Sequence, residues 1–136
     1  MDSALFEQAK AVRERAHAPY SRFQVGAAIR TESGAVHSGA NVENASYPEG
    51  WCAETSAIAA MIAAGGEGAA RRIAEVTVVA DRIDGRLTTP CGGCRQRLAE
   101  FSTAATPVNV IDPSGAGHTY RMDELLPAAF AMEETP

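Results

Sequence analysis

Apolar residues Leu5, Ala9, Val12 and Ala16 recur at helical spacing behind Asp2 or Ser3 as an N-cap, which predicts an amphipathic helix ending in a turn at Pro19 and Ser21. The period then changes to two. Phe23, Val25, Ala27 and Ile29 alternate with Gln24, Gly26, Ala28 and Arg30, and Glu32-Ser33-Gly34 separates them from a second extended run over 35–40, so the pair reads as a hairpin. Residues 51–64 are rich in alanine, with Ile58, Met61 and Ile62 to one side, and predict a buried helix stopped by Gly65-Gly66. Val76, Val78 and Val79 mark a short, nearly continuous apolar strand, followed by a helix over 90–101 with Pro90 suited to its first position. Val108, Val110 and Ile111 form the next strand. Beyond a turn at 112–115, residues 118–121 suggest a short strand, and Asp123 caps a last helical segment that Pro127 interrupts. A hairpin followed by alternating helices and strands implies a mixed sheet covered by helices, an α/β architecture.

With 136 residues, 46% of them hydrophobic, the chain is expected to form one domain spanning 1–136, whose core needs no disulfides. No apolar run approaches the ~20 residues of a membrane span, and the first residues lack the pattern of a signal peptide, so a cytosolic enzyme without membrane partners is expected. The net charge of −5 and the lack of a long basic run argue against a nucleic-acid polymer and favour a small, weakly charged substrate. Asn44-Ala45-Ser46 fits a glycosylation acceptor, a chance match in a cytosolic chain. Three cysteines without an export signal suit reduced thiols serving a metal.

Those cysteines all lie in Cys52-Ala53-Glu54 and Pro90-Cys91-Gly92-Gly93-Cys94. Three soft thiolates with one open position are what a catalytic zinc needs, and a carboxylate two residues after the first can move protons at that position without ligating the metal. Both motifs fall at predicted helix beginnings. Cys91 and Cys94, three apart, share one face, and the positive helix ends stabilise thiolates whose formal charge around a divalent zinc sums to about −1. Gly92 and Gly93 are poor helix formers, kept here for close backbone approach. A bare Cys-x-x-Cys also fits a redox pair or half of a zinc knuckle, and a closed structural zinc would draw its fourth ligand from His17, His37 or His118.

The Cys-x-Glu followed by Pro-Cys-x-x-Cys is the established signature of zinc-dependent nucleoside and nucleobase deaminases, and on it the chain is identified as a member of that superfamily. With Asn41-Val42-Glu43-Asn44, with Ser21-Arg22-Phe23-Gln24-Val25-Gly26-Ala27 upstream, and with Glu124-Leu125-Leu126-Pro127 and Phe130 downstream, it resembles the cytidine deaminases of the small, homotetrameric class from about Ala16 to Phe130. The resemblance implies a three-layer α/β/α fold on a mixed, about five-stranded sheet, and hydrolysis of cytidine and deoxycytidine to uridine and deoxyuridine in pyrimidine salvage. It implies one zinc per subunit on Cys52, Cys91 and Cys94, and Glu54 as proton shuttle. Asn41 and Glu43 would hold the ribose, Phe23 would pack on the pyrimidine, and Ala53 would line the base site. Ala45 and Tyr47, through nearby backbone, and the Phe130 ring would serve sites of neighbouring subunits.

Taken from the residues alone, Phe23 is as much a core position as a stacking ring, Glu43 could be a loop acid, and Phe130 an anchor for the tail. Trp51 reads as packing. An Asn-x-Glu directly after a strand does supply an amide and a carboxylate able to grip a sugar hydroxyl, which favours a nucleoside over a free base. The chain departs from its relatives at Thr55, where most carry an arginine that offsets thiolate charge; helix dipoles, backbone donors or an arginine from elsewhere are expected to take over that task. Arg95 matches a position the relatives also carry. The competing readings are a deaminase for a blasticidin S-type nucleoside and, from another class, a non-enzymatic zinc-stabilised binding module.

Overall fold

The computed structural model describes residues 1–133 and Thr135. Helix α1 (Ser3–Arg13) starts at Asp2, whose carboxylate accepts hydrogen bonds from the amides of Ala4 and Leu5. Strands β1 (Val25–Thr31) and β2 (Val36–Ala40) form the hairpin. They are followed by α2 (Ala53–Ala63), β3 (Ile73–Ala80), α3 (Gly92–Glu100), β4 (Pro107–Ile111), β5 (Gly117–Arg121) and the single turn α4 (Met122–Leu125). The sheet order is β2-β1-β3-β4-β5. Only β3 and β4 run parallel, because α3 crosses between them, and the other neighbours are antiparallel.

Strand alternation sorts the core into two layers. Ala27, Ile29, Val76, Val78, Val108 and Val110 pack against Ala57, Met61, Leu98 and Leu125 from α2, α3 and α4. Ala28, Val79 and Ile111 meet Leu5 and Ala9 of α1 on the opposite face. The result is the expected three-layer α/β/α arrangement, with unequal layers. On the α1 face, Asn109 donates to Glu75 at 2.7 Å and to Thr77 at 3.0 Å, and the Thr119 hydroxyl donates to Asn109 at 2.6 Å. Burial opposes the Glu75 charge, but bonds from Asn109, the Asp2 amide and Arg30 outweigh it and hold the carboxyl below its usual range.

Two glycines let the helices touch the sheet. A Cβ on Gly26 would stand 2.0 Å from the Ala9 carbonyl of α1, and one on Gly39 would stand 2.4 Å from the Ala57 amide of α2. Gly39→Ala should therefore push α2 off the sheet and cost roughly 1–3 kcal/mol, read as a fall in the urea midpoint at constant slope. An unchanged midpoint would show that α2 is not held at this distance by packing.

Five predicted boundaries move, each for a local reason; the first is at α4, where Asp123 lies inside the turn rather than capping it, because Arg121 is the N-cap and its amide donates to the Glu124 carboxylate at 2.8 Å. Helix α1 stops at Arg13 rather than reaching Ala16, because the chain tightens at Glu14 and Arg15 and His17 then pairs with the backbone of Asn41 and Glu43. Strand β1 begins at Val25 rather than Phe23, since Arg22 takes φ 60° and the Asn41 side chain bonds the Phe23 carbonyl and the Val25 amide in place of a strand. Trp51 lies outside α2 and bonds Val42 in both directions at 2.8 Å. Pro90 precedes α3 instead of opening it, because Cys91 is the N-cap. No helix among the described residues is long and apolar enough to cross a membrane.

Candidate metal centre and active site

Two helix starts meet at one cleft. Cys52 is the N-cap of α2 and Cys91 the N-cap of α3, which puts both at positive helix ends, and neither side chain caps its own helix. Cys94 lies in the first turn of α3 and is buried. The three sulfurs lie within 4.8 Å of one another. Zinc–sulfur bonds of about 2.3 Å in tetrahedral geometry place sulfurs roughly 3.8 Å apart, so the donor set and its spacing fit zinc. His17, His37 and His118 stay outside this cluster, which leaves the fourth position without a histidine.

Glu54, two residues after Cys52, is only 5% exposed and lines the same cleft of about 160 Å³ with Cys52, Ala53 and Cys91. Burial pushes its carboxyl above the usual range, against the pull of nearby donors and of the Arg97 cation. The Cys94 thiol bonds the Cys52 sulfur, which holds Cys52 below the ordinary thiol value and drives Cys94 above it. Val25, Asn41, Val78, Thr88 and Thr89 complete the walls.

Asn41 reaches the cleft because the segment around it is paired on both sides. Its carbonyl and the Glu43 amide bond His17, and Val42 bonds Trp51, so the strand end is held in register with Cys52. The Asn41 amide accepts from Val25 at 2.9 Å and donates to Phe23 at 2.9 Å, leaving one hydrogen and one acceptor site free. Glu43 instead lines a neighbouring cleft of about 360 Å³ with Tyr20, Ser21 and Tyr47. The Ser21 hydroxyl and the amides of Ser21 and Tyr20 donate to its carboxylate and hold it below the usual range.

The structure thus brings Asn41, Cys52, Ala53, Glu54 and Cys91 together, with Cys94 behind them. Phe23 is half-buried, belongs to neither core layer and does not line this cleft; Glu43 and Tyr47 sit beside it, Ala45 is exposed, and the Phe130 ring is 73% exposed at the end of the chain. Trp51 is 50% exposed, so its ring is not the packing group expected; its backbone sets the register of Asn41. Thr88 and Thr89 went unread in the sequence because they lie in a loop without periodicity.

Arg95 is spent on structure. Its guanidinium donates to Pro90 at 2.8 Å, Leu125 at 2.9 Å and Thr89 at 3.0 Å, clamping the start of α3 to α4. Around Cys94 stand Thr55, its hydroxyl 3.7 Å from the sulfur, and Arg97, with Nη1 at 4.0 Å.

Residues 1–110 match the profile described as the cytidine and deoxycytidylate deaminase zinc-binding region. The chain belongs to the cytidine and deoxycytidylate deaminase family. It is 42% identical over 130 residues to a cytidine deaminase of Halalkalibacterium halodurans, covering 96% of this chain and 94% of that one. A cytidine deaminase of Sporosarcina psychrophila is 38% identical, with 96% and 91% covered. The crystal structure of a cytidine deaminase from Burkholderia pseudomallei superposes with a TM-score of 0.86 at 41% identity, covering 96% of this chain and 99% of that one. The deaminase fold, with its five-stranded mixed sheet, and the zinc-binding character of the family agree with the arrangement of sulfurs described above.

Proposed function

We propose that this deaminase hydrolyses cytidine and deoxycytidine to uridine and deoxyuridine, with release of ammonia. The observation that supports this most is the placement of a buried carboxylate, Glu54, beside three convergent thiols in a cleft that the Asn41 amide also lines. Cys52, Cys91 and Cys94 would hold one zinc per chain. When bound, zinc supplies the Lewis acidity that makes water nucleophilic at neutral pH.

The rest of the chemistry belongs to the chain. Glu54 takes a proton from the attacking water as the oxygen bonds to C4 of the pyrimidine, and passes it to ring N3. It then takes the second proton of the added water and delivers it to the departing amine, so that one water enters and one ammonia leaves. Its burial, which raises the carboxyl above its usual range, suits a group that must alternate between its ionised and protonated forms. Asn41 offers its remaining hydrogen and acceptor site to a sugar hydroxyl. Ala53, without a bulky side chain, leaves room for the base, and Phe23 packs against it once the nucleoside is seated.

Tyr47 is 75% and Phe130 73% exposed in the single chain. Large aromatic rings left in water beside or beyond a cleft suit contact with another subunit, and we assign Ala45, Tyr47 and Phe130 to sites shared across a homotetramer. Glu43, already anionic, would grip the ribose from the adjoining cleft. Three reduced thiols as ligands favour a cytosolic setting in pyrimidine salvage.

Zinc-loaded protein mixed with cytidine, deoxycytidine and cytosine should show the ultraviolet change of deamination with both nucleosides and run roughly a hundredfold slower with the free base, which leaves the sugar contacts unused. No conversion of either nucleoside, or faster turnover of cytosine, would overturn the substrate reading. Sedimentation of the same sample as a lone chain at the active concentration would remove the shared site.

A further inference from the structure

Three thiolates around a divalent zinc carry an excess of about one negative charge, and an electron-rich metal polarises water poorly. Helix α2 and α3 dipoles oppose this at Cys52 and Cys91, the two N-caps. Cys94 is placed differently: it is buried within the first turn of α3, and besides the Cys52 sulfur and the Glu54 carboxylate its side-chain neighbours are a neutral hydroxyl, Thr55 at 3.7 Å, and one cation, Arg97 at 4.0 Å. Arg95, the nearer arginine in sequence, is held by hydrogen bonds from all three of its nitrogens, to Pro90, Leu125 and Thr89, and makes none to a sulfur. Among the described residues, no other cation hydrogen-bonds a sulfur of the trio.

The backbone is arranged to admit this contact. Arg97 lies one turn beyond Cys94, and helical side chains lean toward the N-terminus, so its guanidinium folds back over Gly93 and the sulfur. A Cβ on Gly93 would stand 3.0 Å from Arg97 Nη1, whereas one on Gly92 would meet nothing within 4 Å. Gly93 thus leaves open the space in which the movable end of the Arg97 side chain lies.

We propose that Arg97 is a positioning residue that offsets the charge of the Cys94 thiolate and so keeps the metal electrophilic, in a chain whose residue 55 contributes only a hydroxyl. The inference rests on the three thiols holding zinc. Its test needs a readout from the sulfur itself. Cobalt(II) in place of zinc reports thiolate donation through its sulfur-to-metal charge-transfer band. Arg97→Ala should move that band to lower energy and lower kcat about tenfold with KM for cytidine within about twofold, the size expected for loss of a partner to a metal ligand. The Thr55 hydroxyl is already beside the sulfur, so Thr55→Arg on the Arg97→Ala background should return the band and most of kcat.

An unmoved band in Arg97→Ala, or a double variant no different from the single one, would overturn the assignment of Arg97 while leaving the zinc site intact. Absence of any cobalt-thiolate band in the unmutated protein would instead strike the zinc site, and the inference with it. Arg97 is exposed, so its replacement leaves the core unaltered.

Discussion

Glu54→Gln should fold, bind one zinc per chain and turn over cytidine about 10²–10⁴-fold more slowly than the unmutated protein. The amide matches the carboxylate in shape, so the packing around a side chain only 5% exposed is preserved. What is lost is the capacity to accept a proton. The three thiols are untouched, and zinc content measured on the purified variant should equal that of the parent. Nucleoside affinity should survive as well, because the contacts assigned to the sugar come from Asn41 and Glu43, on another segment of the chain. A binding module stabilised by zinc would show no consequence of this exchange, having no turnover to lose. Near-normal kcat in a variant with full zinc occupancy would remove Glu54 from the proton path, and with it the reading of the cleft.

The order of helices and strands was legible from local signals: apolar and polar alternation over 23–30, near-continuous apolar character in Ile73–Ala80, and helical spacing in Ser3–Arg13. The displaced boundaries at Val25 and Pro90 share one physical reason. There the backbone is satisfied by side chains instead of a regular ladder: Asn41 bonds Phe23 and Val25, and Arg95 bonds Pro90 and Leu125. Periodicity has no access to such bonds. The polar set Glu75, Thr77 and Asn109 escaped notice for a related reason, since the first two are separated within one apolar strand, the third lies in another, and only the sheet register brings them together.

The metal motif was legible because local spacing carries it: the ligands lie in two short segments at helix starts, and the structure brings both segments to one cleft. The charge balance of the third sulfur was not. It joins Thr55 on α2 to Cys94 and Arg97 on α3, a tertiary contact. Arg97 three residues beyond Cys94 was the available signal, because that spacing puts both side chains on one face of a helix.

Removing the metal should cost both activity and stability, and the three cysteines allow those losses to be separated. Zinc held by Cys52 at the start of α2 and by Cys91 and Cys94 at the start of α3 would bind only the folded chain and stabilise it by mass action, by about 4 kcal/mol when free zinc exceeds the dissociation constant about a thousandfold. A chelator should therefore abolish turnover and lower the thermal midpoint of the unmutated protein by roughly 10 °C or more. Cys91→Ala and Cys94→Ala should each resemble the chelated protein in activity and gain little on adding zinc. They should differ from each other once the metal is out of the comparison. Cys91 is exposed, and its truncation leaves no void; Cys94 is buried against Thr55, and its loss opens a cavity worth about 1 kcal/mol. In chelated samples Cys91→Ala should melt with the parent and Cys94→Ala a few degrees below it. If chelation moves neither the midpoint nor the turnover of the parent, the thiols hold no functional metal, and the site must be rebuilt on Glu54 and Asn41 alone.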